Sequence, residues 1–423
     1  MSPQHDQFQL SSAQAEVLRN TLIDQQHPGS LLQDFAMLLT FIHENAPQLT
    51  GTLLLPLKVL EPLNARLAHP IQHGLRRPQQ KSFPHLNGLF WLVRTSGLTR
   101  VDKTGKKPRL QLDEPTYHSW QALNPTEQYC TLLESWTLRA QSEIIGERDA
   151  FGFNRVVEMW DSLYHRVPAG GLSVAGNADL EQSLGHFPGY HNLALMALFG
   201  LVTVQSAPPL PGMGWRIAKI QRTLLGEALH VLVRRFIFGD PQQTRDGLWF
   251  RYSVSSEIPI GALQPVLQPY WPAWQNNLRI SGTEFCGDLH IFKVALTKDI
   301  WRRIAIAGTD LLDELSDIIL RAYGFDFDHL YRFTYMNRFG GESYANHPYL
   351  EEAPFTSEVR IGDLPLEVGS EMSYLYDFGD HWDFTVTLER IEPRQGTPQA
   401  QIIATQGDAP EQYYVWSDEE EEA

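Results

Sequence analysis

The chain reads Met372-Ser-Tyr-Leu-Tyr-Asp-Phe-Gly-Asp-His-Trp-Asp-Phe-Thr-Val-Thr-Leu-Glu-Arg-Ile391 at residues 372–391. In its second half Phe384, Val386 and Leu388 alternate with polar residues, and this period of two predicts a strand with one buried face. Gly379 lies in the middle, where glycine can supply the positive φ that a tight turn requires. The segment therefore predicts a β-hairpin.

The residues before this hairpin predict the rest of one domain. Leu289–Leu296 and Ile300–Ile306 have the composition of paired strands, and 330–335 of another. Between them lies an amphipathic helix that Asp310 is expected to cap and Gly324 to end. We predict a compact α+β domain over 283–415, with a mainly antiparallel sheet and one main helix. A Pro/Trp-rich linker over 256–282 is predicted before it and an acidic tail over 416–423 after it.

The N-terminal part predicts helices and short hairpins. A helical stripe over 31–45, short helices near 62–68 and 86–95, and the strands 98–101 and 109–112 follow the order of a winged helix. A similar order recurs at 190–199, 201–204, 215–220 and 223–233. We therefore predict winged-helix-like modules over 1–140 and 141–255, and a multidomain α+β protein overall.

Charge is unevenly distributed along the 423 residues, whose net charge is −16. A uniformly acidic chain would repel nucleic acid, but Lys58 to Arg109 holds eleven basic residues and only two acidic ones. The predicted nucleic-acid contacts in this segment are Arg76, Arg77, Lys81, Arg100, Lys103, Lys106, Lys107 and Arg109. The alternative is that a protein, or the acidic half of the chain, neutralises the segment.

The cysteines and the N-terminus indicate the compartment. Cys130 and Cys286 are far apart, which excludes a disulfide framework and a thiolate zinc site. No signal peptide and no apolar run long enough for a membrane span are visible. We expect a cytoplasmic protein without a cofactor.

The hairpin turn Tyr376-Asp-Phe-Gly-Asp-His-Trp382 resembles a known family. Together with Ile300-Trp-Arg-Arg303, Ile318–Phe325 and His329-Leu-Tyr-Arg-Phe333, it is similar to the Ri-plasmid Orf-three-like domain family, also labelled insertion-element passenger TnpR-like, over roughly 284–415. The motif residues matched are Trp301, Tyr376, Asp377, Phe378, Gly379, Asp380 and Trp382. The resemblance implies a context of mobile DNA and no particular activity.

The chain departs from the family pattern at two places. Gly407-Asp-Ala-Pro-Glu411 lacks the second acid and the glycine pair of the family's later block. Phe384 stands where the family usually has a histidine, and a histidine lies at 381 instead. If the family's histidine binds a ligand, the binding is in doubt for this copy.

Acidic residues in the turn suggest one further chemistry. Asp377, Asp380, His381 and Asp383 could bind a divalent metal and support hydrolysis. Neighbouring strand residues face opposite sides, however, and short acids beside glycine commonly accept from turn amides. Aromatic residues near the hairpin either pack the sheet or stack on bases: Tyr331, Phe333, Tyr335, Tyr374, Tyr376 and Trp382.

These observations support three hypotheses. The first is a non-enzymatic, DNA-associated accessory or regulatory protein of mobile-element context, in which the basic segment binds nucleic acid. The second is a protein-interaction scaffold that does not touch nucleic acid. The third is a metal-dependent hydrolase that uses the cluster from Asp377 to Asp383.

Overall fold

The computed structural model describes residues 10–102, 106–139, 156–239, 258–282, 284–337, 342–394, 396 and 399–413. The chain divides into two compact units, Met1–Ser281 and Gly282–Ala423. The first unit holds 24 basic and 22 acidic residues, whereas the second holds 10 basic and 28 acidic ones. The net negative charge of the protein therefore resides in the second unit.

The first unit is mainly helical. Its helices are α1 (Ser12–Asn20), α2 (Leu31–Asn45), α3 (Leu57–Asn64), α4 (Pro84–Thr95), α5 (Glu114–Gln121), α6 (Pro125–Thr137), α7 (Val156–Arg166), α8 (Ala178–Leu184), α9 (Tyr190–Leu198), α10 (Leu224–Phe238) and α11 (Gln264–Leu267). Its strands are β1 (Thr99–Asp102), β2 (Arg109–Leu112), β3 (Leu172–Ser173), β4 (Val202–Ser206) and β5 (Ile217–Arg222). Strands β1 and β2 form a hairpin, and the other three form a sheet in the order β3-β5-β4.

The core of the first unit is continuous. Buried apolar residues from Leu18 to Ile280 form one cluster, to which both predicted winged-helix-like segments contribute. The predicted helices and hairpins occur in the predicted order, but α1, α5, α7 and α8 were not predicted, and one predicted boundary differs. Helix α3 begins at Leu57 rather than near Pro62, and Pro62 lies inside it. Proline is tolerated there at the loss of one backbone hydrogen bond.

Helix α4 is buried along its whole length. Each residue from Pro84 to Thr95 is buried. Helix α9 approaches closely at Gly88, where an added Cβ would lie 2.7 Å from the Leu195 side chain. The Arg94 guanidinium is also inside, donates to the Leu53 carbonyl at 3.3 Å, and has its pKa lowered to about 10 by desolvation. This helix is therefore a structural centre of the unit.

Residues 258–281, called the strap below, pack against α5 and α6 instead of forming a free linker. Trp271 and Trp274 are buried in the core. Two buried carboxylates of α6 accept backbone amides of the strap. Glu134 accepts from Gly261 and Leu263, both at 2.7 Å, and Glu127 accepts from the amides of residues 275 and 276. The strap is thus hydrogen-bonded to the helical core at two points.

Burial of Glu134 makes the stability of the first unit depend on pH. Desolvation, which outweighs the two amide donors, raises the pKa of Glu134 from 4.5 to about 7. The folded state therefore holds this proton more tightly than the unfolded chain. The contribution of this proton to the free energy of unfolding is present in full below pH 4.5 and is lost as pH rises through about 7. The free energy of unfolding falls by about 3 kcal/mol over this range.

We expect Glu134→Gln to remove this pH dependence. The stability difference between the unmodified protein and the variant should change by about 3 kcal/mol between pH 5 and pH 8, to the disadvantage of the unmodified protein at pH 8. Urea unfolding followed by tryptophan fluorescence measures it. Desolvation lowers the pKa of the buried His85 and His230 to about 4, but both proteins share this contribution, which cancels in the difference. A difference that stays constant with pH would contradict the expectation.

The second unit is a mixed α+β domain, as predicted. Its sheet has the order β12-β7-β6-β11-β10-β8-β9, and each neighbouring pair is antiparallel. The elements are β6 (Leu289–Ala295), β7 (Trp301–Ala307), α12 (Leu312–Tyr323), β8 (Tyr331–Met336), β9 (Glu342–Asn346), β10 (Glu371–Tyr376), β11 (Trp382–Glu392) and β12 (Gln401–Gln406). Helix α12 contributes Leu312, Leu315 and Ile319 to the core.

The expected cap of α12 is wrong. The helix begins at Leu312, after Leu311, so Asp310 lies one position too early to cap it. The Asp310 carboxylate instead accepts from the Ala307 amide at 3.2 Å, and Glu314 accepts from the Leu311 amide at 2.8 Å. Gly324 ends the helix with φ 71°, as predicted.

The aromatic residues near the hairpin pack the sheet. Tyr331, Phe333, Tyr374 and Tyr376 are buried in the core of the second unit. The Ser316 and Tyr374 hydroxyls are 2.7 Å apart, which joins α12 to the middle of the sheet. These residues are therefore not a base-stacking surface.

No helix of the described residues is long and apolar enough to cross a membrane.

Candidate nucleic-acid interface and family motif

The N-terminal hairpin presents the predicted basic residues outward. Arg100 lies opposite Gln111, and Asp102 lies opposite Arg109. Arg100 and Arg109 are exposed, whereas the alternating residues Thr99, Leu110 and Leu112 face the core and are buried. Lys106 and Lys107 follow the hairpin turn and are exposed, and Lys103 lies outside the described residues.

A segment of chain beside β2 stabilises this hairpin. The Leu49 amide donates to the Pro108 carbonyl at 2.8 Å, and the Leu110 amide donates to the Pro47 carbonyl at 3.0 Å. Gln48 forms an isolated bridge with Arg109. Strand β2 therefore has backbone hydrogen-bond partners on both sides. Its position is fixed, and so is that of the nearby cations Lys107 and Arg109.

Three more of the predicted residues lie on the loop before α4. Arg76, Arg77 and Lys81 are exposed. Gly74 exchanges backbone hydrogen bonds with residues 212 and 213, each at 2.8 Å. The buried Gln80 accepts from the Leu55 amide at 2.7 Å. The loop, called the basic loop below for residues 76–81, is therefore also anchored to the unit.

Burial of α4 limits how this region could bind a duplex. In helix-turn-helix proteins the recognition helix lies in the major groove and reads base edges. The third helix of the predicted module is α4, and all of its residues are buried. Arg94, one of the eleven basic residues of the segment, is therefore buried. The predicted contacts on the hairpin and the basic loop are exposed, and their side chains suit phosphate contact rather than base readout.

The family motif forms the turn between β10 and β11. Positive φ occurs at Asp377 and His381, both at 57°, and not at Gly379, so the expected role of this glycine is wrong. The Asp377 carboxylate accepts from the Gly379 amide at 2.8 Å, and the Asp377 carbonyl accepts from the His381 amide at 2.8 Å. Aspartate tolerates the left-handed region because its side chain bonds locally to the backbone.

Residues distant in sequence meet beside this turn. His329 Nε2 lies 3.3 Å from the buried carboxylate of Asp377 and 3.1 Å from the Tyr413 hydroxyl. The Tyr413 hydroxyl donates to Asp328 at 3.0 Å, and the Tyr376 hydroxyl donates to the Asp326 carbonyl at 2.5 Å. Desolvation and the hydrogen bond to Asp328 raise the pKa of Tyr413 to about 12.

This polar cluster was only partly visible in the sequence. Tyr376 and Asp377 belong to the matched motif, and His329 opens another matched block. No sequence pattern marked Asp328 or Tyr413 as part of this cluster. The pairing of β8 with β10 and the path of the chain after β12 bring the two residues together.

The predicted metal ligands do not converge. Asp377 bonds within its own turn and contacts His329, while Asp383 accepts from the Ser373 hydroxyl at 2.7 Å. Asp380 and His381 are exposed. Across the described residues, no group of three or more His, Cys, Asp or Glu side chains is placed to hold a metal ion. The geometry offers nothing in favour of the hydrolase hypothesis.

The other motif aromatics have separate positions. The Lys293 ammonium lies 5.2 Å and the Arg303 guanidinium 5.0 Å from the centroid of the Trp301 ring. Phe378 is 37% exposed, with the Arg332 guanidinium 5.8 Å from its ring. Trp382 packs against Phe325 with 4.8 Å between ring centroids. The motif therefore serves both the core and the surface of the sheet.

Comparison with known proteins finds a family that matches most of the second unit. The unit is an antiparallel sheet with one helix packed on it, and the turn at Asp377 joins β10 to β11. Residues 289–413 match the family described as plasmid pRiA4b ORF-3-like protein, so the second unit contains an ORF-3-like domain and the resemblance is confirmed.

Two similar proteins have no stated function. The uncharacterized protein y4hQ of Sinorhizobium fredii is 27% identical over 112 residues, which cover 26% of this chain and 57% of that protein. The chain thus spans just over half the length of this curated relative. A crystal structure of a protein of unknown function from Methanosarcina mazei Go1 is 26% identical, covers 30% of this chain and 72% of that one, and has a TM-score of 0.27.

Proposed function

We propose that the protein is a non-enzymatic, nucleic-acid-associated accessory protein that contacts the phosphate backbone through the N-terminal hairpin and the basic loop. The observation that carries the proposal is the exposure of every described residue of the predicted set: Arg76, Arg77, Lys81, Arg100, Lys106, Lys107 and Arg109. They project from two anchored segments of the only unit that is not strongly acidic.

The division of charge supports separate roles for the two units. Phosphate contact releases counterions and does not depend on base sequence. The second unit, with 28 acidic against 10 basic residues, would repel a nucleic acid and suits contact with proteins. The ORF-3-like family, associated with plasmids and insertion elements, agrees with a context of mobile DNA.

Charge reversal at the hairpin tests the proposal. We expect Lys106→Glu/Lys107→Glu to weaken duplex binding about 10- to 100-fold at moderate salt, similarly for unrelated sequences, and to reduce the salt slope by about 2. Fluorescence anisotropy measures both. The matched control is Lys298→Glu/Arg321→Glu, which reverses two charges on side chains of the second unit that are 89% and 67% exposed.

The control should bind as the unmodified protein does. Equal affinities for both double variants would show that the hairpin does not contact phosphate. Circular dichroism of each variant excludes a loss of folding as the cause.

Burial of α4 favours a second candidate, a protein-interaction scaffold. A helical module whose third helix is inaccessible can still present its hairpin to a protein. In that case the purified chain would carry one stoichiometric protein and no nucleic acid, and a duplex would not bind even at low salt.

A further inference from the structure

Strand β12 forms one outer edge of the seven-stranded sheet. It pairs with β7 on its inner side, and a bulge between Ile402 and Ala404 accommodates Ile403. Among the described residues no other backbone group bonds to residues 401–406 outside this ladder. An edge strand presents alternate N–H and C=O groups outward, where they can pair with another strand.

The opposite edge of the sheet is covered at one end. Strand β9 begins with the charged Glu342, and its last residue Asn346 bonds to residues 352–356. The Asn346 amide donates to the Pro354 carbonyl at 2.9 Å, and the Asn346 carbonyl accepts from Thr356 at 2.8 Å. Charged residues, β-bulges and covering loops are the usual protection of sheet edges. The β12 edge has the bulge at Ile403 but no charged residue in its six positions.

The surroundings of β12 are unusual for this acidic unit. Residues 395–407 form its longest stretch without a charged side chain, although the unit has 28 acidic residues. Two copies of this acidic unit would repel each other in most relative orientations. The electrostatic repulsion would be weakest where the two β12 edges meet. Ile402 and Ile403 are each 41% exposed there, which leaves apolar surface for a partner to cover.

Strand β12 has a glutamine at each end and no charged residue between them. It reads Gln401-Ile-Ile-Ala-Thr-Gln406. Antiparallel pairing with a second copy, about a two-fold axis through the middle, would set each glutamine against a glutamine and each isoleucine against an alanine or a threonine. No like charges would oppose each other, and β-branched pairs favour antiparallel sheets.

We infer that the β12 edge is a self-association surface, at which two copies of the chain pair their sheets through antiparallel β12 strands. The bulge limits regular pairing to a few residues, and so short a contact falls below the roughly 1,000 Å² typical of a stable interface. The dimer is therefore weak and forms reversibly. It does not depend on nucleic-acid binding and concerns a different unit.

Sedimentation velocity of the full chain without nucleic acid tests the inference. Between about 1 µM and about 100 µM the average mass should rise from that of one chain toward two, as expected for a weak interface. Ile403→Lys should remain monomeric over this range. The matched control is Val368→Lys, which alters a 60% exposed apolar residue away from the edge and should associate like the unmodified chain.

Two results would overturn the inference: a monomeric unmodified protein at the highest concentration, or equal association of the two lysine variants. Hydrogen exchange of the unmodified protein provides a second measurement if Ile403→Lys fails to fold. Protection of the amides of residues 401–406 should increase with protein concentration, and protection that does not change would also refute the pairing.

Discussion

Replacing Glu127 with alanine is expected to destabilise the first unit by about 4 kcal/mol. The Glu127 carboxylate is 1% exposed and accepts four hydrogen bonds. The donors are the amides of Asn124, Gln275 and Asn276 and the Asn276 side chain, at 2.6 to 3.0 Å. Alanine would remove the single buried acceptor that these four donors share, and with it the contact that holds residues 275 and 276 on α6.

Urea denaturation measures this loss, and Glu114→Ala is the matched control. Glu114 lies in the first turn of α5, its side chain is 55% exposed, and its contact with His43 is 3.7 Å long. We expect Glu114→Ala to lower the free energy of unfolding by less than about 0.5 kcal/mol. If Glu127→Ala lost no more than the control, the strap would not depend on its carboxylate contacts.

Replacing Arg302 with alanine is expected to destabilise the second unit by a similar amount, about 4 kcal/mol. Arg302 is 5% exposed and donates to four carbonyl groups, those of Ala322, Trp301, Gln406 and Gly407, at 2.8 to 3.1 Å. Its guanidinium also lies 4.6 Å from the centre of the Tyr323 ring. One side chain therefore joins β7, the end of α12 and the end of β12.

Two variants distinguish these contacts from a general effect of charge. Arg302→Lys keeps the positive charge but cannot reach the same four carbonyl groups. Its free energy of unfolding should therefore fall by about half as much as that of Arg302→Ala. Arg390→Ala removes an exposed partner of Glu392 and should lose less than about 0.5 kcal/mol. Hydrogen exchange should show loss of protection at Gln401–Gln406 in Arg302→Ala. Unchanged protection there would contradict the proposed role of Arg302.

Local patterns predicted those elements whose buried face gives a clear period, whereas α1, α5, α7 and α8 were not predicted. Strand β11 alternates buried and exposed residues, and α12 places its apolar residues on one side. Strand β12 was not predicted, since all its residues are exposed or half-buried and an edge strand need not alternate. Strand β9 was missed too.

Contacts between distant residues could not be read from the sequence. Glu127 and Glu134 resemble surface residues of a helix until the strap covers them. The burial of Arg94 on α4 was likewise not evident from the sequence. The turn at Asp377 was predicted, but its backbone conformation was assigned to the wrong residue, because glycine is the usual choice and aspartate bonds its own turn here.

The measurement that tests the central claim most directly is the salt dependence of duplex binding by the unmodified chain. Anisotropy titrations at about 50 mM and about 200 mM salt give the slope of log K against log salt. Contact with about six phosphates through the hairpin and the basic loop predicts a slope near −5 that does not depend on sequence. No binding at the lower salt concentration would contradict the proposed phosphate contact and favour a protein partner for the same surface.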